Sequence, residues 1–139
     1  MIYTDYLRKM DARTDFVFSN DEINNYIHIL KEKWHEVNYC KAFTSEEFTK
    51  YIEEEIEDIG LVITQLRVEI NQNMEAGRRL KNKRFKRNFI WRYQMNKLDK
   101  ECANMTLSVR EYENEYHAYK SIKNKLKQCD HFFDYILKI

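Results

Sequence analysis

The 139-residue sequence contains no proline and only two glycines, where average usage would supply about seven and ten. Proline and glycine are the residues that most strongly interrupt helices. Their scarcity therefore predicts a chain that is helical almost throughout. It also excludes a glycine-rich phosphate-binding loop, since Gly60 and Gly77 stand alone.

Cysteines and long apolar runs are also scarce. Cys40, Cys102 and Cys129 are odd in number and form no Cys-x-x-Cys pair, which argues against a disulfide framework and a zinc site. The longest uncharged runs have eight residues, far fewer than the roughly 20 that cross a bilayer. The first residues lack the basic flank and apolar stretch of a signal peptide. We expect a reducing, cytoplasmic location and no membrane partner.

Three Ser/Thr-x-x-Glu capping boxes mark helix starts, because the hydroxyl and the glutamate each bond a free backbone N–H of the first turn. They are Ser19–Glu22, Thr44–Glu47 and Ser108–Glu111. Apolar residues recur along the predicted helices at three- and four-residue spacing, which is the period of one buried helical face. These seams comprise Ile23, Ile27, Leu30, Trp34 and Val37, then Phe48, Ile52, Ile56, Ile59, Ile63, Leu66 and Ile70, then Leu80, Trp91, Met95, Leu98 and Cys102.

The pattern predicts an all-α fold, an antiparallel up-and-down bundle of about four main helices with a long coiled-coil-like hairpin. We expect one domain over residues 1–139, with an N-terminal arm at 1–18 and helices at 19–38, 45–76, 79–104 and 108–138. The arm should pack on the rest and hold a short helix near Thr4 to Met10. Gly77 is the predicted terminator of the second long helix. The Ser108 box favours a break near Asn104 to Leu107, although continuing spacing also fits one bent helix over residues 80–127.

Charge is divided sharply along the chain despite a formal net charge of +1. Residues 44–75 carry nine acidic against two basic side chains, and the acidic cluster comprises Glu53, Glu54, Glu55, Glu57 and Asp58. Residues 76–100 carry ten basic side chains against Asp99 alone. The basic block comprises Arg78, Arg79, Lys81, Lys83, Arg84, Lys86, Arg87 and Arg92. Such a block repels itself and needs anionic neighbours.

A purely structural explanation is that the acidic second helix lies antiparallel to the basic third helix and neutralises it. A hairpin turning near Gly77, however, would place the acidic cluster beside Asp99 to Asn104. It would place Arg84 to Arg87 beside Glu69. The two charged groups would then miss each other, and much of the basic block would face outward.

The third helix also carries an aromatic strip, Phe85, Phe89 and Tyr93, which falls roughly opposite its apolar seam at 100° per residue. One explanation is that the N-terminal arm, with Phe16 and Phe18, covers the strip. The other is that the strip faces a partner. Basic and aromatic side chains together suit nucleic acid, since cations neutralise phosphates and rings stack on unpaired bases. They also suit an acidic protein groove.

Catalytic and metal chemistry find little support in the sequence. His28, Glu32, His35 and Glu36 share one helical face, but a di-iron bundle needs a second Glu-x-x-His and two further glutamates, which are missing. Solvated surface histidines explain this pattern better. The lone cysteines lie on apolar seams, where a buried thiol is inert. We predict no enzyme, no cofactor, no metal and no small-molecule substrate.

The predicted function is a non-enzymatic binding protein, an inhibitor or regulator, whose third helix docks on nucleic acid or on a nucleic-acid-handling complex. The alternative is a helical protein that acts through coiled-coil self-association or as a subunit of a larger assembly. We expect a monomer or a weak homodimer. The predicted binding residues are Arg78, Arg79, Lys81, Lys83, Arg84, Phe85, Lys86, Arg87, Phe89, Arg92 and Tyr93.

Overall fold

A computed structural model describes residues 8–12, 16–82 and 89–139. Its elements are α1 (Asn20–Val37), α2 (Ser45–Lys81), α3 (Phe89–Gln128) and α4 (Phe132–Lys138). Throughout the described ranges the regular secondary structure is helical and no strand occurs. The predicted all-α helical bundle is confirmed. None of the described helices is both long and apolar enough to cross a membrane.

Helix α1 follows its sequence signals. The Ser19 hydroxyl accepts the backbone N–H of Glu22, and the Glu22 carboxylate returns to the Ser19 N–H, so both halves of the capping box form. The apolar seam is buried at Ile23, Ile27, Leu30 and Trp34, whereas Val37 at its end is 68% exposed. The helix ends at Val37 as the seam predicts, and the Asn38 N–H closes its last turn on the Trp34 carbonyl at 2.8 Å.

Helix α2 begins as predicted and ends later. The Thr44 hydroxyl accepts the Glu47 N–H at 3.3 Å. The expected end at Ala76 is wrong, because the helix continues to Lys81 and residues 79–81 belong to it rather than to the third helix. Gly77 does not have the positive φ of a terminating glycine. It sits within the helix at a cost of about 1 kcal/mol, and the burial of Leu80 one turn later offsets that cost.

Helix α3 is continuous over 40 residues, so the predicted break near Asn104 to Leu107 is wrong. The Ser108 capping signal is overridden because the apolar seam passes through it, with Val109 and Tyr116 both buried. Leu107, which would pack on Tyr112 in a capped start, is 60% exposed. The predicted helix 108–138 is also divided, since α3 ends at Gln128 and α4 begins at Phe132.

The chain forms two compact units, one of residues 1–60 with 114–139 and one of residues 61–113. The first unit, here the terminal unit, contains α1, α4 and parts of α2 and α3. Its core includes Phe43, whose ring contacts the rings of Trp34, Phe48 and Phe133 at centroid distances of 4.9–5.2 Å. Helix α4 is tied to α1, because the Lys31 ammonium donates to the Ile136 carbonyl at 2.9 Å.

The N-terminal arm packs within the terminal unit. Residues 8–11 are helical, and Met10 is buried at 2% exposure. The Asp11 carboxylate accepts the Tyr116 hydroxyl at 2.9 Å and the Lys120 ammonium at 2.6 Å. The predicted packing of the arm is therefore confirmed, while residues 4–7 of its expected helix lie outside the described residues.

The second unit, here the hairpin unit, pairs the end of α2 with the beginning of α3. Partners fall in antiparallel order, since Arg67 contacts Glu113 at 3.0 Å and Asn73 contacts Glu101 at 3.3 Å. Its buried apolar residues come from both helices and include Ile63, Ile70, Leu80, Met95 and Val109. Glu113 is the one buried charged residue of the described chain, at 5% exposure. Because an unpaired buried carboxylate is costly, the Arg67 contact fixes the pairing of the two helices.

Candidate functional site

The described part of the basic block lies where α2 ends and α3 begins. Arg78, Arg79 and Lys81 occupy the last turn of α2, and Arg92 lies in the first turn of α3; all four are exposed. Positive side chains in the last turn of a helix interact favourably with the helix dipole. The fold therefore tolerates the three cations at the end of α2. The remaining predicted members, Lys83, Arg84, Phe85, Lys86 and Arg87, lie outside the described residues.

A hydrogen bond joins the two helix ends that carry these cations. The Trp91 indole N–H donates to the backbone carbonyl of Leu80 at 2.6 Å. The last carbonyls of a helix have no partner within it, so this bond satisfies one of them. Trp91 thus holds the first turn of α3 against the last turn of α2. Sequence periodicity placed Trp91 on the apolar seam but could not reveal this positioning role.

The charge partners of the basic block are few. Arg79 pairs with Glu75 one turn earlier on α2, at 3.1 Å between two largely exposed side chains. Among the residues that the structure describes, Arg78, Lys81 and Arg92 make no ion pair. These three cations are left to solvent or to an external anion.

The acidic cluster finds a different partner from the one expected. Its predicted position beside Asp99 to Asn104 is wrong, because the Glu53 carboxylate pairs with the Lys127 ammonium at 2.7 Å in the terminal unit. The Lys127 hydrogen bond, aided by the charges of Lys127 and Lys123, lowers the pKa of Glu53. The difference arises because α2 continues past Gly77, which displaces the pairing of the two long helices. Neutralisation of the basic block by this cluster is not seen among the described residues.

The described members of the aromatic strip face solvent. Phe89 is 83% exposed and Tyr93 is 63% exposed, and Ile90 between them is 61% exposed. The two arm residues expected to cover them contact other rings within the terminal unit. The Phe16 ring stacks on His117 at a centroid distance of 4.0 Å, and the Phe18 ring meets the edge of Tyr26 at 6.1 Å. Large apolar groups exposed together are unusual in a soluble surface and indicate an interaction site.

Two cavities flank Leu98 in the hairpin unit. One has a volume of about 280 Å³ and reaches Gly77, Arg78 and Lys81. The other has a volume of about 450 Å³ and is lined by Ala76, Arg79, Leu80, Gln94, Lys97, Leu98 and Glu101. The small side chain of Ala76 leaves space for the larger cavity, and the missing side chain of Gly77 leaves space for the smaller one. Gln94 and Lys97 were not predicted as site residues, because a cavity depends on which residues lie opposite one another.

The histidine and glutamate face of α1 is exposed to solvent. His28, Glu32, His35 and Glu36 are all exposed. Within residues 8–12, 16–82 and 89–139, no group of three His, Cys, Asp or Glu side chains is placed to hold a metal ion. Burial raises the pKa of Tyr51 and of Tyr119 above the ordinary value of a phenol, and the charge of nearby Glu55 adds to the shift in both.

Comparison with known protein families, curated proteins and solved structures finds no match to this chain.

Proposed function

We propose that this chain is a non-enzymatic binding protein whose basic block binds nucleic acid, either directly or as part of a nucleic-acid-handling complex. The observation that carries the proposal is that Arg78, Lys81 and Arg92 are exposed and make no ion pair within the described residues. Three such cations at adjoining helix ends repel one another. A polyanion relieves that repulsion.

Nucleic acid supplies this anion in a regular form. Each phosphate that contacts a Lys or Arg releases condensed counterions, so affinity falls steeply as salt increases. Phosphate contacts position a protein without reading sequence. The proposal therefore predicts binding that is strongly dependent on salt and weakly dependent on base sequence.

The test is fluorescence anisotropy with a labelled oligonucleotide between 50 and 200 mM salt. A triple variant, Arg78→Glu, Lys81→Glu and Arg92→Glu, should abolish binding while helix content is kept. The matched control reverses three exposed lysines of the terminal unit, Lys33, Lys41 and Lys138, and gives the same net charge. This control should retain most of the affinity and most of the slope of log affinity against log salt.

Two outcomes would contradict the proposal. If both triple variants lose affinity equally, the interaction follows net charge and has no site. If the unmodified protein binds no oligonucleotide at 50 mM salt, nucleic acid is not the partner.

The competing function is that of a helical protein that acts by self-association. It draws on exposed apolar residues of the hairpin unit, among them Leu61 and Leu107, which are 52% and 60% exposed. Sedimentation would favour this function if it showed a tight dimer at nanomolar concentration that Leu61→Asp and Leu107→Asp convert to folded monomers.

A further inference from the structure

The aromatic strip distinguishes between the forms that a nucleic acid can take. In a duplex, the faces of each base are covered by its neighbours and only base edges are reached through the grooves. An exposed aromatic ring can stack only on a base whose face is free. Phe89 and Tyr93 are the two most exposed aromatic side chains of the described hairpin unit, at 83% and 63%.

The two rings are arranged for one short segment of strand. Tyr93 follows Phe89 by four residues on α3, so the two side chains share a face and lie about 6 Å apart along the helix axis. Nucleotides of one strand repeat about every 3.4 Å while their bases stack on one another, and unstacking lengthens this repeat. Neighbouring bases that are unstacked from each other can therefore reach both rings.

One cation lies beside the rings and others lie on the far side of the same helix. Arg92 precedes Tyr93 directly and is exposed. The bond from Trp91 to the Leu80 carbonyl places the last turn of α2, with Arg78 and Lys81, on the seam side of α3, away from the two rings. Stacking rings beside a positively charged track are the recurring features of single-strand binding surfaces.

Resting on the proposed function, we infer that the ligand is single-stranded nucleic acid, whose unpaired bases stack on Phe89 and Tyr93 while the phosphates of the same segment contact Arg92. Phosphates further along the strand reach Arg78 and Lys81 at the end of α2. The preference for single strands then resides in the two rings. The cations contribute affinity for single strands and duplexes alike.

The experiment compares three probes of equal length: a single-stranded oligothymidine, a duplex, and an abasic strand that keeps the phosphates and lacks the bases. Phe89→Ala and Tyr93→Ala should each weaken binding of the oligothymidine by about 5- to 150-fold. Binding of the duplex and of the abasic strand should change less than twofold. Helix content should be unaffected, since both side chains are exposed.

Conservative variants separate ring stacking from apolar contact. Tyr93→Phe and Phe89→Tyr keep a ring and should bind oligothymidine nearly as well as the unmodified protein. Phe89→Leu keeps apolar area without a ring and should bind as weakly as Phe89→Ala. Leu107→Ala is the matched control for loss of an exposed apolar side chain elsewhere on α3, and its affinity for all three probes should equal that of the unmodified protein.

Several results would overturn the inference. If the alanine variants lose the same affinity for single strand and duplex, the rings do not select the form of nucleic acid. The proposed function would still hold in that case, provided that oligonucleotide binding weakens as salt increases. If Phe89→Leu binds oligothymidine as well as the unmodified protein does, and the unmodified protein binds vesicles that contain phosphatidylserine more tightly than it binds oligothymidine, the strip contacts a lipid surface. Failure of the proposed function is distinct, because the charge-reversal variants would then bind oligonucleotide as the unmodified protein does.

Discussion

Removing the cation beside Glu113 should destabilise the hairpin unit more than any surface substitution. The Arg67 guanidinium contacts the Glu113 carboxylate at 3.0 Å, and the two side chains are 37% and 6% exposed. Breaking a fully buried ion pair costs about 3–5 kcal/mol. Because Arg67 is partly hydrated already, we expect Arg67→Met to cost about 2–3 kcal/mol.

Removing the carboxylate of the pair should cost less stability than removing the cation. Glu113→Leu leaves the Arg67 charge on a side chain that reaches water, and a leucine suits the buried site. Replacing both residues with apolar ones is often close to neutral. We therefore expect the double variant Arg67→Met, Glu113→Leu to recover most of the stability lost in Arg67→Met.

Urea denaturation followed by circular dichroism at 222 nm measures the four free energies of this double-mutant cycle. The melting temperature of Arg67→Met should fall by roughly 5–12 °C. If Arg67→Met instead costs less than about 0.5 kcal/mol, or the double variant is as unstable as the sum of the singles, the pair does not fix the pairing of the two helices.

Three further predictions follow from single positions. Gly77→Ala should stabilise the protein by about 0.5–1 kcal/mol, because Gly77 has no positive φ and an added Cβ meets no atom within 4 Å beyond its chain neighbours and the backbone of its own helix. A loss of stability in thermal melts would contradict this. Tyr119→Phe should leave stability unchanged or raise it by about 1 kcal/mol, since the buried Tyr119 hydroxyl has no hydrogen-bond partner among the described residues. A loss above about 1 kcal/mol in urea denaturation would reveal a partner. Lys127→Met should return the pKa of Glu53 towards 4.5 in an NMR titration, with less than about 1 kcal/mol of stability lost above that pH, and an unchanged pKa would refute the pairing.

Local signals predicted that the chain is helical but misplaced several of the helix ends. The Ser19 box and the α1 seam act over a few residues, and both formed as expected. The continuation of α2 past Gly77 depends on burial of Leu80 and on its bond from Trp91, which are contacts between helices. The Ser108 box is also local, and burial of Val109 in the seam prevailed over it.

The candidate site was predictable where it depended on one helix. The angle of Phe89 and Tyr93 opposite the seam of α3 follows from the sequence, and both rings are exposed. The partner of Glu53 was not predictable, because it depends on how far α2 extends before the chain returns. The cavities beside Leu98 likewise require knowledge of the residues on the opposite helix.

Photochemical cross-linking to a single-stranded oligonucleotide containing 5-bromodeoxyuridine tests the central claim most directly, because it reports where the strand lies on the unmodified protein. After digestion and mass spectrometry, we expect cross-linked peptides from residues 78–93, with Phe89 and Tyr93 modified and the signal lost as salt rises. Cross-links confined to the terminal unit, or none at 50 mM salt, would contradict the account.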